Sequence, residues 1–122
     1  LSAIGLITKV NEILASLDLK DGLLAFKAIN AKKEAVYPIF ETYCRNLAIT
    51  ILNLQTIFDM ETFVLGGGIS AQSILIEEVN RQFDKVHHEI DFIGKIIKRP
   101  KIVACHHNGT NLIGAAYFLK QG

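Results

Sequence analysis

Cysteine, charge of either sign and long apolar runs are all scarce in this sequence, and each scarcity removes a class of function. The two cysteines, Cys44 and Cys105, lie far apart and follow no spacing pattern, so neither a disulfide framework nor a C-x-x-C motif is in view. Thirteen Lys and Arg against twelve Asp and Glu leave a formal charge of +1, too weak a field to gather nucleic acid or an anionic membrane surface. The apolar runs are only a few residues long, well short of the roughly 18 that suggest a membrane span. No charged segment followed by an apolar one opens the chain as a secretory leader does. These absences predict a chain with no membrane partner, no nucleic-acid partner of its own and a reducing, cytoplasmic setting. What is present is ordinary: 50% hydrophobic and 20% charged residues in 122 is the composition of a globular chain that can bury a core.

Apolar spacing divides the chain into helices and two short strands. Ile4, Ile7, Val10, Ile13, Leu14 and Leu17 recur at helical intervals with Ser2 available as N-cap, which predicts an amphipathic opening helix. Asp18 to Gly22 reads as a turn, and Leu23 to Ile29 as a second, shorter helix. A long helix is expected after Lys32-Lys33-Glu34, running to about Phe58 with one buried stripe of Val36, Phe40, Tyr43, Leu47, Ile51, Leu54 and Phe58. Pro38 suits its first turn, where a missing N–H is harmless. Thr62 to Leu65 and Lys101 to Cys105 are apolar runs on either side of a helix expected over about Ala71 to Val86. They read as parallel strands joined by a helical crossover and covered on both faces. Asn111 to Lys120, with Gly114-Ala115-Ala116, reads as a small-residue helix. The fold class expected is α/β. Two parallel strands make a poor sheet alone, and the chain begins with Leu1 at what reads as a packed helix, so further strands are expected from a preceding segment or another subunit.

The run Thr62-Phe63-Val64-Leu65-Gly66-Gly67-Gly68-Ile69-Ser70-Ala71 carries the most chemistry. A strand that feeds glycines and then a helix brings backbone close to a nucleotide; the same glycines could equally serve as a tight packing turn. Gly66, Gly68 and Ala71 also satisfy the G-x-G-x-x-A pattern of an NAD-binding Rossmann turn. That reading needs an acidic residue about 20 positions on, at the end of the next strand. Asp84 falls in the crossover helix instead, and the next strand ends at Cys105-His106. A Walker A loop is excluded, since no Lys-Ser or Lys-Thr follows the glycines.

His87-His88 and His106-His107 invite a metal reading, but adjacent residues on a strand point to opposite faces and the pairs lack the i, i+4 histidine or C-x-x-C arrangement. No metal ligand is assigned. His106 and His107 do stand just beyond a strand's carboxyl end, where ligands collect in open α/β sheets. No serine has a Gly-x-Ser-x-Gly context, and Asp59, Glu61 and Asp91 are single carboxylates at element ends, suited to capping or solvation. No catalytic residue is assigned.

Three stretches together resemble the C-terminal part of the ROK family of bacterial sugar kinases and transcriptional repressors. Leu47-Ala48-Ile49-Thr50-Ile51-Leu52-Asn53-Leu54 followed by Phe58-Asp59-Met60-Glu61 is similar to the family's long helix and the turn after it, with Met60 where proline is usual. Phe63-Val64-Leu65-Gly66-Gly67-Gly68-Ile69-Ser70 resembles the family's strand and glycine turn. Ala104 to Ala116, ending Leu112-Ile113-Gly114-Ala115-Ala116, resembles its closing strand, loop and helix, although Cys105-His106-His107-Asn108-Gly109 departs from the usual Gly-Asn-Asp-Ala-Gly. Ser2 to Glu12 is similar to the helix that follows the family's zinc segment, so the resemblance covers nearly the whole chain.

The resemblance implies an actin-like, ribonuclease H-like ATPase fold of which residues 1–122 are the C-terminal portion. Gly66, Gly67 and Gly68 then lie against the adenosine and phosphates of ATP, bound with magnesium in the whole protein. It also implies that the phosphate loop, the catalytic Asn-Asp pair and the zinc cluster belong to an N-terminal region not in this chain. The leading expectation is the nucleotide-contacting part of an ATP-dependent hexose or N-acetylhexosamine kinase, inactive by itself and drawn from a homo-oligomer. The alternatives are the sugar-sensing, dimerising part of a ROK repressor, and a Rossmann-type domain.

Overall fold

The computed structural model describes residues 3–66, 69, 72–89 and 97–105, together with the backbone of 116–119. The opening helix α1 spans Ala3–Ile13 and buries Ala3, Leu6, Val10 and Asn11. The expected stripe is therefore displaced: Ile4 and Ile13 are exposed and Leu17 fully so. The cause is local. The Asn11 amide reaches the carbonyls of Asp18 (3.4 Å), Leu19 (3.1 Å) and Asp21 (3.0 Å), folding the turn back under the helix end. Ala15 takes a left-handed φ of 54° as the chain leaves the helix, which throws Leu17 off the helical face. Ser2, the expected N-cap, lies outside the described residues.

Helix α2 covers Gly22–Asn30, where the Asp21 carboxylate caps it by accepting from Leu24 N at 3.1 Å. The long helix α3 spans Tyr37–Phe58 with Pro38 in its first turn. Val36, Phe40, Tyr43, Leu47 and Ile51 form the expected buried stripe. Towards the carboxyl end the buried face rotates onto Cys44, Ala48, Leu52 and Gln55, leaving Leu54 half-buried and Phe58 exposed against expectation. Asp59 ends α3 in the left-handed region at φ 48°, a conformation that Asp tolerates better than most residues.

Strand β1 is Thr62–Leu65, buried at every position. It runs parallel to β2, Lys101–Ala104, with Thr62 opposite Lys101 and Leu65 opposite Ala104. Between them α4, Ser73–Glu89, makes the crossover and packs against both α3 and β2. The α/β architecture with a parallel pair is thus as expected. Two expectations are corrected. β2 is not covered on both faces, since Lys101 and Val103 are exposed and Ile102 alone is fully buried, the pattern of an edge strand. The segment read as a closing helix instead holds a strand, β3 at Ala116–Leu119, antiparallel to β1. The sheet order is β2-β1-β3. Physically, β1 has a second edge of N–H and C=O groups to satisfy, and Tyr117-Phe118-Leu119 has the aromatic, apolar character that suits a strand. Residues 111–115 of that expected helix lie outside the described residues.

The core joins α1, α2, α3, α4 and the sheet through Phe26, Phe40, Phe63 and Phe83 with their aliphatic neighbours. Phe40 meets Phe26 edge-on at 6.1 Å. A polar seam lies between α3 and α4: Glu78, 4% exposed, accepts from Tyr37 Oη at 2.7 Å, Arg81 Nε at 3.0 Å and Gln82 Nε2 at 2.8 Å. No helix among the described residues is long and apolar enough to cross a membrane.

Candidate functional site

Parallel pairing places the carboxyl ends of β1 and β2 side by side. Cys105 N donates to Leu65 O at 2.8 Å, so Gly66 and Cys105 leave the sheet together. This is the edge at which open α/β sheets collect ligands. Gly66 is buried at the end of an entirely buried strand. Gly67, Gly68, His106 and His107 lie outside the described residues. Past the glycines, Ile69 is buried and its carbonyl accepts from Gln72 N at 3.0 Å, while Gln72 O accepts from Leu75 N as α4 begins.

Beside this turn lies a groove of about 400 Å³, lined by Ile7, Lys20, Asp21, Gly22, Leu23, Phe26, Ile69 and Gln72. It joins three distant pieces of sequence: α1 through Ile7, the start of α2, and the segment after the glycines. Its walls are apolar at Ile7, Leu23, Phe26 and Ile69, and polar at Lys20, Asp21 and Gln72. Gly22 stands where even a Cβ would meet Ile7 Cδ1 at 3.4 Å, so α2 starts close against α1. The volume is of the order that holds a small ligand, and apolar walls beside a few convergent polar groups suit a flat ring with a polar appendage. Sequence reasoning located the glycine turn but missed Lys20, Phe26 and Gln72. Their only signal was the turn at Asp18 to Gly22, which gave no hint that it packs beside residue 69.

The remaining candidates separate. His87 is half-buried, stacked on Phe83 with centroids 5.6 Å apart, and its Nε2 meets Ile97 O at 2.9 Å. That ring nitrogen therefore carries the proton and is spoken for. His88 is exposed. Asp59 and Glu61 serve as expected: Asp59 ends α3, and Glu61 pairs with Lys98 at 3.3 Å on the surface. Asp91 lies outside the described residues. Cys44 is buried in α3 and Cys105 partly so at the end of β2, both as free thiols. Burial, with Glu78 nearby, pushes the Cys44 thiol up, away from the reactive thiolate.

One residue outside this groove was missed altogether. Gln55, 2% exposed, donates to Met60 O at 2.8 Å and Lys98 O at 2.9 Å and accepts from Met60 N at 2.7 Å. It fastens the end of α3 to the start of β1 and to the approach to β2, the two strands that end at the candidate site. The Met60 amide it uses is one that proline would not supply, which gives the departure at Met60 a physical meaning.

The described residues define an α/β unit in which a buried strand ends at Gly66 and a groove opens between α1, the start of α2, Ile69 and Gln72. Over residues 2–122 the sequence matches the family model of the ROK family. The chain belongs to the ROK family, which includes sugar kinases and repressors. No curated protein and no solved structure matches it.

Proposed function

We propose that this chain is the nucleotide-contacting part of an ATP-dependent sugar kinase, acting on a hexose or N-acetylhexosamine. The glycine turn at Gly66, Gly67 and Gly68 lies against the nucleotide in this reading. The observation that carries it is the groove beside that turn: Gly66 ends a buried strand, and Phe26, Leu23 and Ile69 line a space of about 400 Å³ next to it. The apolar walls receive the purine. Residues without a side chain let the backbone come close to base and ribose, and Lys20 at the rim neutralises phosphate charge.

ATP with magnesium is the cofactor of the whole protein in this proposal, and the chain by itself transfers no phosphoryl group. No residue among those described combines a base for a sugar hydroxyl with a clamp for the transferred phosphate, and in-line transfer depends on both. The test is sugar-dependent ADP formation over a panel of hexoses and N-acetylhexosamines, run on the intact protein and on these 122 residues. The proposal expects turnover from the first and none from the second. Turnover from the 122 residues would refute it, and sugar-responsive DNA binding without turnover by the intact protein would move the assignment to the repressor branch of the family.

A further inference from the structure

Lys20, Asp21 and Gln72 are the polar side chains that line the groove between α1, the start of α2 and Ile69. Lys20 can only donate hydrogen bonds. Asp21 can only accept them, and its Oδ1 already takes Leu24 N at 3.1 Å to cap α2. Gln72 differs from both. Its carboxamide holds a donor and an acceptor side by side in one plane, and it meets no hydrogen-bond partner among the described residues. Its backbone, by contrast, is fixed from both sides: Gln72 N donates to Ile69 O and Gln72 O accepts from Leu75 N, each at 3.0 Å. A half-buried amide on an anchored backbone thus keeps its hydrogen-bonding capacity free for a molecule in the groove.

We propose that Gln72 selects the base of the bound nucleotide, and that the base it selects is adenine. The inference rests on the nucleotide reading of this groove and adds to it the residue that sets base specificity. Adenine carries an amino donor with a ring-nitrogen acceptor on either side, N1 and N7. One carboxamide therefore matches it on both edges, Oε1 accepting from the amino group while Nε2 donates to the ring nitrogen. Guanine puts two acceptors, O6 and N7, on one edge, so Oε1 would face O6 unpaired. On its other edge guanine adds an N2 amino donor, which a carboxamide already engaged by N1 and O6 leaves without an acceptor. Gln72 alone satisfies adenine and falls short of guanine. Phe26 and Ile69 supply the apolar wall on which the flat base lies, and Lys20, a donor carrying positive charge, is left for the phosphates.

The test is titration of the isotopically labelled full chain, with magnesium, against the non-hydrolysable imido analogues of ATP and GTP, followed by amide and side-chain chemical shifts. The ATP analogue should bind about tenfold or more tightly than the GTP analogue, the discrimination of one bidentate pair, and should shift the Gln72 side-chain amide. Gln72→Leu has no side-chain hydrogen bond to lose within the described structure, so it should keep its circular dichroism. It should weaken the ATP analogue about tenfold, leave the GTP analogue unchanged and so erase the preference. General damage to the groove would weaken both analogues alike. Equal binding of the two analogues by the unmodified chain, or undiminished binding of the ATP analogue by a folded Gln72→Leu chain, would overturn the role of Gln72 while leaving the nucleotide reading in place. Binding of neither analogue would overturn both.

Discussion

Replacing Glu78 with alanine should unfold the seam between α3 and α4 more than any surface change. Glu78 is 4% exposed and accepts from Tyr37 Oη, Arg81 Nε and Gln82 Nε2. Removing the carboxylate strands Gln82, itself 4% exposed, at the full cost of an unpaired buried donor, about 1–3 kcal/mol. Tyr37 is half-buried and Arg81 keeps Glu41 at 2.8 Å, so each adds a fraction of that. Together with the lost packing, the loss is about 3–4 kcal/mol. Urea denaturation at pH 7, followed by circular dichroism, reads it directly. A double-mutant cycle with Tyr37→Phe should return a coupling of about 1 kcal/mol. A loss below about 1 kcal/mol for Glu78→Ala would refute the reasoning, since it would mean that the stranded donors find water at no cost. The same residue sets an acid limit. Burial alone would raise its pKa, but the bonds from Arg81, Tyr37 and Gln82 outweigh burial and hold it below the usual carboxylate value. The stability it brings is therefore complete above its unfolded value near 4.5 and is lost as pH falls through the lower folded value. Glu78→Gln should flatten that acid limb.

Gln55→Leu should cost about 2–4 kcal/mol in urea denaturation, because it strands the Met60 amide and the carbonyls of Met60 and Lys98 at once. Met60→Pro, which restores the family's usual residue, should destabilise this chain by about 1–3 kcal/mol, since it removes the N–H that Gln55 accepts from; an unchanged denaturation midpoint would contradict this. The Tyr43 contribution is fully present below its unfolded value near 10 and is lost as pH rises towards its folded value of about 12, which amounts to roughly 2–3 kcal/mol. Tyr43→Phe should be no less stable than the parent at pH 7, because its hydroxyl has no partner there, and more stable above pH 10 by a margin that grows with pH.

Sequence spacing made several elements legible because a single physical rule governs each. Thr62–Leu65 is the strand expected residue for residue, since an apolar run bounded by acidic residues and glycines has few other uses. The start of α3 is likewise legible, because Pro38 fixes the first turn. Readings failed where a distant partner decided the outcome. The face of α1 was lost because Asn11, polar and therefore assigned to solvent by pattern, is buried to hold the carbonyls of Asp18, Leu19 and Asp21. The strand at Ala116–Leu119 was lost because β1, more than fifty residues earlier, offers the edge that makes it a strand. For the candidate site, the glycine turn announces itself, whereas Lys20 and Phe26 join it only through the packing of α2 against α1 and Ile69.

The central claim, that the turn beginning at Gly66 receives a nucleotide, is tested most directly by titrating a labelled sample of this chain with magnesium and a non-hydrolysable ATP analogue while amide shifts are recorded. The account predicts saturable shifts centred on Gly66, Ile69 and Gln72 and on Lys20 to Phe26 across the groove, with none at Tyr43. Saturable shifts elsewhere with these residues silent, or no shifts at millimolar analogue, would contradict it.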